Sequence, residues 1–572
     1  MALSSKTVIG AIWTIGGSIG SRIITLVGTL VMTRFLTPAI MGEVGVASVL
    51  VLSASNFSSF GLGQYVVNKP KVGRNVVFHA TFYWLVLGLI AFGLLMLLRE
   101  PLAPFFDAPT MVHYLPGLGV AMLMDRVAYM PERILARELR FRSIASTRAV
   151  AEVVYATSAV FLAWWGLGGD AMVIANILQS MLRLVVFLSI VPRRDWLEPC
   201  RLTLEHTRDL FRYGFPISIG VNAQYAASRW DGLLFARYFG PHTMGLYTYA
   251  YNLASVPANT IGEQIGDVLN PSFAHMDMER RKVALVRATA LLGLIVFPLA
   301  VGLGAVSESL VRAIFSEKWH GVGPLLMVLS VTSVVRPISS NIFSFLLTCD
   351  RPRLIMILEV GKVVMVLVTV VLLAPFGAMW ASVGVGGVYT VVAIIDVLVV
   401  KWLDDIPVMS FVRATAAPLM ACLPMGAAVL GARYGMDAMG WHRPGLQTIV
   451  GIIVGVVVYV PSAFLFAGDI TRELIGLVRN ARRRRSGRDS APDSMEYEGP
   501  RSVEAALVKA IAPIKVKAAP AKTAASAKAA APVKTPTPVN AAPPLLKAAS
   551  ASQDPLPAKT SRLSKRGRKR KR

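Results

Sequence analysis

About fourteen long apolar segments follow one another along this chain of 572 residues, and they constrain its fold more than any other feature. The core of a bilayer requires roughly 20 mainly apolar residues per helix. The chain is 54% hydrophobic, has a mean hydropathy of +0.57 and is only 16% charged, whereas soluble proteins carry about 25% charged residues. We therefore predict an all-α polytopic membrane protein. Its predicted spans are residues 8–33, 40–66, 78–98, 112–132, 144–165, 170–192, 211–236, 243–270, 286–306, 322–348, 354–374, 378–400, 411–431 and 446–467.

A nine-residue pattern occurs twice, at residues 34–42 (RFLTPAIMG) and 237–245 (RYFGPHTMG), and each copy joins two long apolar segments. Internal repeats of this kind indicate related halves, and an offset of six helices gives both halves the same orientation in the membrane. We predict an N-terminal lobe over 1–200 and a C-terminal lobe over 201–405 around a central cavity, with two extra helices over 406–470. The alternative is that proline and glycine mark an ordinary helix end.

Basic residues alternate between the two sides of the membrane when the predicted spans are threaded in order. The loops on the side of the N-terminus hold 21 Lys or Arg residues up to residue 413, against seven in all of the opposite loops up to residue 443. An excess of Lys and Arg in short loops marks the cytoplasmic side. We therefore predict that both termini are cytoplasmic and that the repeated pattern lies at the outer ends of its helices. Its predicted outer-gate residues are Arg34, Pro38, Gly42, Arg237, Pro241 and Gly245.

The composition changes from about Arg482 onward, where the chain becomes rich in Ala, Pro and Lys. Between residues 482 and 572 there are 22 Lys or Arg against six Asp or Glu. Such a segment cannot bury enough apolar surface to fold alone, so we predict a disordered cytoplasmic tail over 471–572, helical only at 502–511. A basic tail can bind anionic lipid or stay solvated without a partner. Nucleic acid is not expected as a partner, because no aromatic residues interleave with the charges.

Seven basic residues lie within the predicted spans: Arg22, Arg126, Arg148, Arg183, Arg229, Arg336 and Lys362. Ionisable groups at this depth are costly and indicate function by default. The alternative is an ordinary ion pair, expected for three of them: Arg126 with Asp125 or a neighbour, Arg148 with Glu152, and Lys362 with Glu359. Arg183 and Arg336 are open between the two interpretations. Arg22 and Arg229 favour function, because neither shares a helix face with an acid.

Several arginines around one cavity favour an anionic, phosphate-bearing substrate, because a guanidinium donates two hydrogen bonds to a phosphate. The predicted substrate-cavity residues are Arg22, Arg229, Arg126, Arg183 and Arg336. Three acids on helices 7 and 8 are candidate coupling-ion or proton sites: Asp231, Glu263 and Asp267. No catalytic residue, metal or cofactor is predicted, since the three cysteines lie far apart and form no metal or redox spacing.

Several short stretches resemble one family of membrane proteins. They are residues 58–65 (SSFGLGQY), 211–216 (FRYGFP), 244–247 (MGLY), 271–273 (PSF) and 316–319 (SEKW). Together the residues from about 5 to 470 resemble the polysaccharide-transporter branch, the Wzx-type lipid-linked oligosaccharide flippases, of the multidrug/oligosaccharidyl-lipid/polysaccharide exporter superfamily.

This resemblance implies twelve to fourteen helices in two lobes that work by alternating access in a bacterial inner membrane. It implies transport of an undecaprenyl-diphosphate-linked oligosaccharide to the outer leaflet for exopolysaccharide or lipopolysaccharide assembly, with polymerase and export proteins as further partners. The family's cationic cavity is carried over to Arg22 and Arg229, and with less support to Arg126, Arg183 and Arg336.

Three other functions are weighed against this one. A cation or drug antiporter of the same superfamily would need a cavity dominated by acids. A membrane polymerase or ligase would need a large outer loop with reactive side chains, and the predicted outer loops are short. A scaffold would act through the basic tail, so that deleting 482–572 would abolish its function.

Overall fold

The computed structural model describes residues 24, 27–68, 73–274, 276–349 and 351–486. Every regular element in these ranges is helical, which confirms the predicted class. The main helices are α1 (27–35), α2 (Pro38–Phe57), α3 (Leu62–Asn68), α4 (Arg74–Phe105), α5 (Met111–Arg137), α6 (Phe141–Trp164), α7 (Asp170–Ile190), α8 (Leu204–Ala274), α9 (Met278–Ile314), α10 (Val322–Thr332), α11 (Arg336–Thr348), α12 (Pro352–Leu373), α13 (Ala378–Asp404), α14 (Val408–Ala438), α15 (Pro444–Phe466) and α16 (Gly468–Ser486).

Nine helices in the described ranges are long and apolar enough to cross a membrane. They are Pro38–Phe57, Arg74–Phe105, Asp170–Ile190, Met278–Ile314, Glu317–Thr348, Arg353–Phe376, Ala378–Asp404, Val408–Ala438 and Pro444–Phe466. The predicted spans 4 and 5 are also long helices, α5 and α6. Most of the predicted first span lies outside the described residues, so the total of fourteen stays a prediction.

The two copies of the repeated pattern turn the chain differently. In the first copy α1 ends and α2 begins at Pro38, where Thr37 (φ −89°, ψ 157°) caps the helix by accepting a hydrogen bond from the Ile40 amide at 3.4 Å. In the second copy, predicted spans 7 and 8 form two helices that meet at a kink, and we number these two limbs together as α8. Gly240 separates the limbs with φ 79° and ψ 168°, a conformation that favours glycine.

Large apolar side chains cover much of the outer surface of the helices. Leu97 on α4 is 77% exposed and Leu465 on α15 is 78% exposed, and similar residues follow the outer face of α12. Exposed apolar faces of this extent are unfavourable in water and favourable in hydrocarbon. The surface therefore fits a protein that lies in a bilayer.

Within each half of the chain, helices that are close in the sequence pack together, and one central contact joins the two halves. In the first half, α5 packs on α2, α4 and α7, and α6 packs on α7. In the second half, α8 packs on α10, α11 and α12, while α14 and α15 pack on α9. The central contact runs between α2 and α8. The two helices predicted outside the six-plus-six core, α14 and α15, thus attach to the second half.

Helical structure continues past residue 470, where the disordered tail was predicted to begin. α16 runs from Gly468 to Ser486 and is tied to α9 by an ion pair between Glu473 and Arg287. The prediction was wrong for the first part of the tail, because it was made from composition and could not foresee this tertiary contact. The remaining tail, with the helix predicted at 502–511, lies outside the described residues.

Candidate functional site

The two copies of the repeated pattern lie against each other. Gly42 on α2 faces the backbone of Pro241, and Gly245 on α8 faces the backbone of Pro38, so the contact is reciprocal. A Cβ atom at either glycine would overlap the carbonyl oxygen of the opposite proline. Glycine permits this approach of the two backbones because it has no side chain. The structure thus brings together four of the six predicted gate residues at one end of the helices, which we call the motif end.

The other two gate residues, Arg34 and Arg237, lie beside this contact. Both side chains are exposed. Arg34 donates a hydrogen bond to the Ile314 carbonyl at 3.1 Å, whereas the guanidinium of Arg237 lies 5.3 Å from the centre of the Phe105 ring. The arginines of the two copies therefore have different surroundings.

A second backbone contact joins the far end of α2 to the start of α8. Gly214 lies against the backbone of Phe60 and Gly61. The Phe60 ring packs edge-on against Phe211 at 5.5 Å and stacks on Phe215 at 6.3 Å. Contacts to α8 therefore hold α2 at both of its ends.

A turn from the second half of the chain, residues 314–319, holds the end of α1, and we call it the clasp. Its donors reach three carbonyls: Ser316 Oγ to Thr33 at 3.2 Å, Lys318 Nζ to Arg34 at 3.4 Å, and Trp319 Nε1 to Leu36 at 3.2 Å. The last carbonyls of a helix have no partner inside the helix. The clasp supplies those partners and fixes α1 to the second half of the chain.

Trp319 connects the clasp to the repeated pattern. It is 0% exposed and has the largest fully buried side chain among the described residues. Its ring lies 4.6 Å from that of Tyr249, whose hydroxyl is 2.7 Å from Met41 Sδ in the first copy of the pattern. These side chains belong to one apolar cluster that seals the motif end.

Replacing Trp319 with Phe is expected to lower the free energy of unfolding by about 1–2 kcal/mol, because the buried Leu36 carbonyl loses its donor while a ring remains. Thermal unfolding of the purified protein in detergent measures the change. Trp402→Phe is the matched control, since Trp402 is 84% exposed. Equal shifts of Tm in the two variants would show that the clasp does not stabilise the fold.

A polar face of α8 carries Arg229, one of the two favoured substrate residues. Its side chain is exposed, and Nη1 donates to Asn252 Oδ1 at 3.2 Å, which links the two limbs of α8. Exposed Gln224 and half-buried Ser228 lie on the same stretch of helix. Within the described ranges no carboxylate forms an ion pair with Arg229. The guanidinium of Arg229 is thus exposed and bonded to a neutral amide.

A buried cluster in the second half brings together two other predicted residues, Asp231 and Arg336. Asp231 accepts hydrogen bonds from the Tyr247 hydroxyl at 2.6 Å and from the Gly232 amide at 2.8 Å. The guanidinium of Arg336 packs against the rings of Tyr251 and Tyr389 at 4.7 and 4.8 Å. The Tyr389 hydroxyl also donates to the Ala227 carbonyl at 3.1 Å. We call these five side chains, Asp231, Tyr247, Tyr251, Arg336 and Tyr389, the tyrosine cluster.

Arg126 is buried inside the first half, at 2% exposure. Its guanidinium donates to the Ser55 carbonyl and the Ser58 hydroxyl at the end of α2 and stacks 4.0 Å over the Trp84 ring. The Trp84 Nε1 group donates in turn to the Arg126 carbonyl at 2.9 Å. This arrangement joins α2, α4 and α5.

Three further cations of the predicted spans, all among the described residues, have acidic partners. Arg183 pairs with Asp125 at 2.9 Å, so the acid considered for Arg126 serves a different arginine. Arg148 pairs with Glu132, a partner that helical spacing within α6 did not indicate. Lys362 pairs with Glu359 at 2.5 Å, which confirms the predicted spacing.

The side chains of three predicted residues lie outside the described part of the structure. Arg22 lies outside the described residues, and so do the side chains of Glu263 and Asp267, although their backbone belongs to α8. Of the other predicted cavity arginines, Arg229 and Arg336 lie in the second half of the chain, and Arg126 and Arg183 lie in the first.

Sequence reasoning missed the tyrosine cluster and the role of Trp319. Tyr247 and Tyr251 are four residues apart and so share a helix face with a common orientation, a signal that could have been read. Tyr389 and Trp319 gave no such signal, because their partners are distant in the sequence.

These features define a polytopic α-helical membrane protein in which duplicated motifs meet at the contact between two halves. A family model described as "Polysaccharide biosynthesis protein" matches residues 31–324, more than half of the chain. The chain belongs to that family, which confirms the resemblance drawn from its sequence.

Curated relatives and a solved structure agree with this assignment. The chain is 25% identical over 403 residues to the lipopolysaccharide biosynthesis protein WzxC of Escherichia coli K12, covering 70% of this chain and 80% of WzxC. It is 23% identical over 497 residues to the succinoglycan biosynthesis transport protein ExoT of Rhizobium meliloti, covering 83% and 97%. Its fold is similar to the inward closed conformation of the lipid II flippase MurJ, with a TM-score of 0.63, 13% identity, and coverage of 81% of this chain and all of MurJ.

Proposed function

We propose that this protein is a flippase that moves a polyprenyl-diphosphate-linked oligosaccharide from the cytoplasmic to the outer leaflet for exopolysaccharide or lipopolysaccharide assembly. Membership of the polysaccharide biosynthesis family supports this proposal, as does similarity to a protein named as a succinoglycan transport protein. The protein acts as a transporter and not as an enzyme. The lobes 1–200 and 201–405 would rock about the α2–α8 contact, exposing the substrate to each side in turn.

The observation that carries this proposal is the exposed guanidinium of Arg229, which lies within the predicted span 211–236 and donates a hydrogen bond to a neutral amide. A cation here is costly unless it serves a function, and the planar guanidinium suits a phosphate. We propose that Arg229, with Arg22, binds the diphosphate in the central cavity. Arg336, Arg126 and Arg183 would contribute positive potential from their more enclosed positions.

Replacing Arg229 with Ala is expected to reduce transport about tenfold, because a charge-assisted hydrogen bond to the diphosphate is lost. The assay is translocation of a fluorescently labelled lipid-linked oligosaccharide between the leaflets of reconstituted vesicles. Arg212→Ala is the control, since Arg212 is an exposed arginine near the start of the same helix. Normal transport by the Arg229 variant, at normal protein levels in the membrane, would refute its role.

Directional transport requires a driving force, and we propose Asp231 as its coupling site, with Glu263 and Asp267 as further candidates. Asp231 is a buried acid that accepts hydrogen bonds from neutral donors, the Tyr247 hydroxyl and the Gly232 amide, so binding a proton or cation would change the charge of the tyrosine cluster. Asp231→Asn is expected to abolish the stimulation of transport by an imposed proton or sodium gradient. Tyr247→Phe keeps the Asp231 carboxylate and should retain the stimulation of transport by the gradient. A full gradient response in Asp231→Asn would contradict the proposal.

We further propose a bacterial inner-membrane location with cytoplasmic termini and the motif end facing outward. The excess of Lys and Arg in the loops at the opposite end supports this orientation. The basic tail over 487–572 would then lie near anionic lipid, and polymerase or export proteins would receive the product. Labelling of single introduced cysteines from each side of the membrane tests the orientation.

A further inference from the structure

An apolar cavity of about 270 Å³ lies between α2 and α4 on one side and α8 and α12 on the other. Its walls include Leu50 of α2, Phe105 of α4 and Leu367 of α12, together with Trp230, Leu233 and Leu234 of α8. The cavity therefore opens where helices of the two halves of the chain face each other.

The polar groups in this wall are already paired with protein atoms. Trp230 Nε1 donates to Ser53 Oγ at 3.0 Å, and Ser53 Oγ donates to the Val49 carbonyl at 2.7 Å. The remaining wall is hydrocarbon and aromatic. Water needs several polar partners to occupy a cavity, whereas an apolar cavity takes up apolar molecules. The lining therefore selects a hydrocarbon occupant.

Arg237 continues the cavity-lining stripe of α8 toward the motif end. Residues 230, 233, 234 and 237 follow i, i+3, i+4, i+7 spacing and so share one helix face. Arg237 lies about 10 Å along the helix from Trp230, at 1.5 Å per residue. Its guanidinium packs over Phe105, a wall residue, and is exposed. Within the described ranges it has no hydrogen-bond or ion-pair partner.

An apolar cavity with an unpaired arginine at its edge matches a lipid with a hydrocarbon chain and a phosphate head. We infer that this cavity holds a segment of the prenyl chain of the transported lipid, and that Arg237 binds its diphosphate at the motif end. This inference rests on the proposed function and adds a second phosphate contact, separate from Arg229. It also gives the arginine of the second motif copy a role that Arg34, which is engaged by the clasp, does not share.

Native mass spectrometry of the full-length protein with added undecaprenyl diphosphate tests this site. Leu367→Trp fills the cavity and is expected to weaken binding about tenfold, and Arg237→Gln is expected to do the same by removing the phosphate contact. Arg237→Gln should leave binding of undecaprenol unchanged, because undecaprenol has no phosphate. Arg237 is exposed, so this variant tests the site even where the larger change at 367 disturbs folding.

Matched controls are Val368→Trp, since Val368 is the exposed neighbour of Leu367, and Arg443→Gln, which removes another exposed arginine. Equal binding of undecaprenyl diphosphate by all variants would overturn the inference. So would phosphatidylglycerol binding with the same dependence on residues 237 and 367, since the site would then hold bulk lipid. Oligosaccharide translocation by the same wild-type preparation is measured separately. Absence of translocation would refute the flippase proposal. Normal translocation, together with equal binding of undecaprenyl diphosphate by wild type and variants, would refute only this site.

Discussion

Gly42→Ala is expected to reduce transport about a hundredfold while leaving protein in the membrane. The new methyl group would overlap the Pro241 carbonyl oxygen, which is backbone and cannot rotate away. Overpacking of this kind costs about 3 kcal/mol, and a barrier raised by that amount slows a step about a hundredfold. The added methyl group destabilises the state in which the motif end is closed. That state is then populated less during the transport cycle. Gly245→Ala should have the same effect through Pro38.

Gly45→Ala is the matched control for this prediction. Gly45 lies on the same helix, and an added Cβ would meet only the flexible Met244 side chain at 3.4 Å, an ordinary contact. Translocation of the labelled lipid-linked oligosaccharide is compared at equal protein levels. Wild-type rates in Gly42→Ala would show that closure of the motif contact is not part of the cycle.

Arg126→Ala is expected to lower the free energy of unfolding by about 3 kcal/mol or more, because it opens a cavity and leaves buried acceptors without donors. The Ser55 carbonyl and the Ser58 hydroxyl would lose the guanidinium that joins them to α5, and the Trp84 ring would lose its stacked cation. The resulting decrease of Tm in detergent should exceed that of the other variants considered for stability.

Arg99→Ala separates this effect from the general loss of an arginine. Arg99 is partly exposed and its only ion pair, among the described residues, is a 4.0 Å contact with the neighbouring Glu100. Exposed pairs of this kind contribute about 0–1 kcal/mol. If Arg126→Ala and Arg99→Ala unfold at the same temperature, the buried network does not stabilise the first half of the chain.

The architecture followed from the sequence wherever it depended on local pattern. Apolar length identified the spans, and the i, i+3 spacing identified the pair between Lys362 and Glu359. The break at Gly240 was predicted as a connection between two helices, and its non-helical backbone confirms that the helix is interrupted there.

The candidate site was less accessible to sequence reasoning because its contacts join distant segments. Arg126 was assigned a carboxylate or a substrate, but its described partners are a carbonyl, a hydroxyl and an indole on other helices. Every residue has a backbone carbonyl, so the sequence does not reveal which of them accepts a hydrogen bond from a distant side chain. The repeat revealed that Gly42 and Gly245 correspond, and only the fold reveals that each lies against the other copy's proline.

The different turns at Thr37 and Gly240 make the two copies of the repeated pattern unequal in the substitutions that they tolerate. Glycine at position 37 could adopt the existing backbone and would lose only a cap interaction, a change worth a few tenths of a kcal/mol. Threonine at position 240 would need a positive φ of 79°, where a β-branched residue is an outlier. Exchange of sequence between the copies is therefore tolerated one way and not the other.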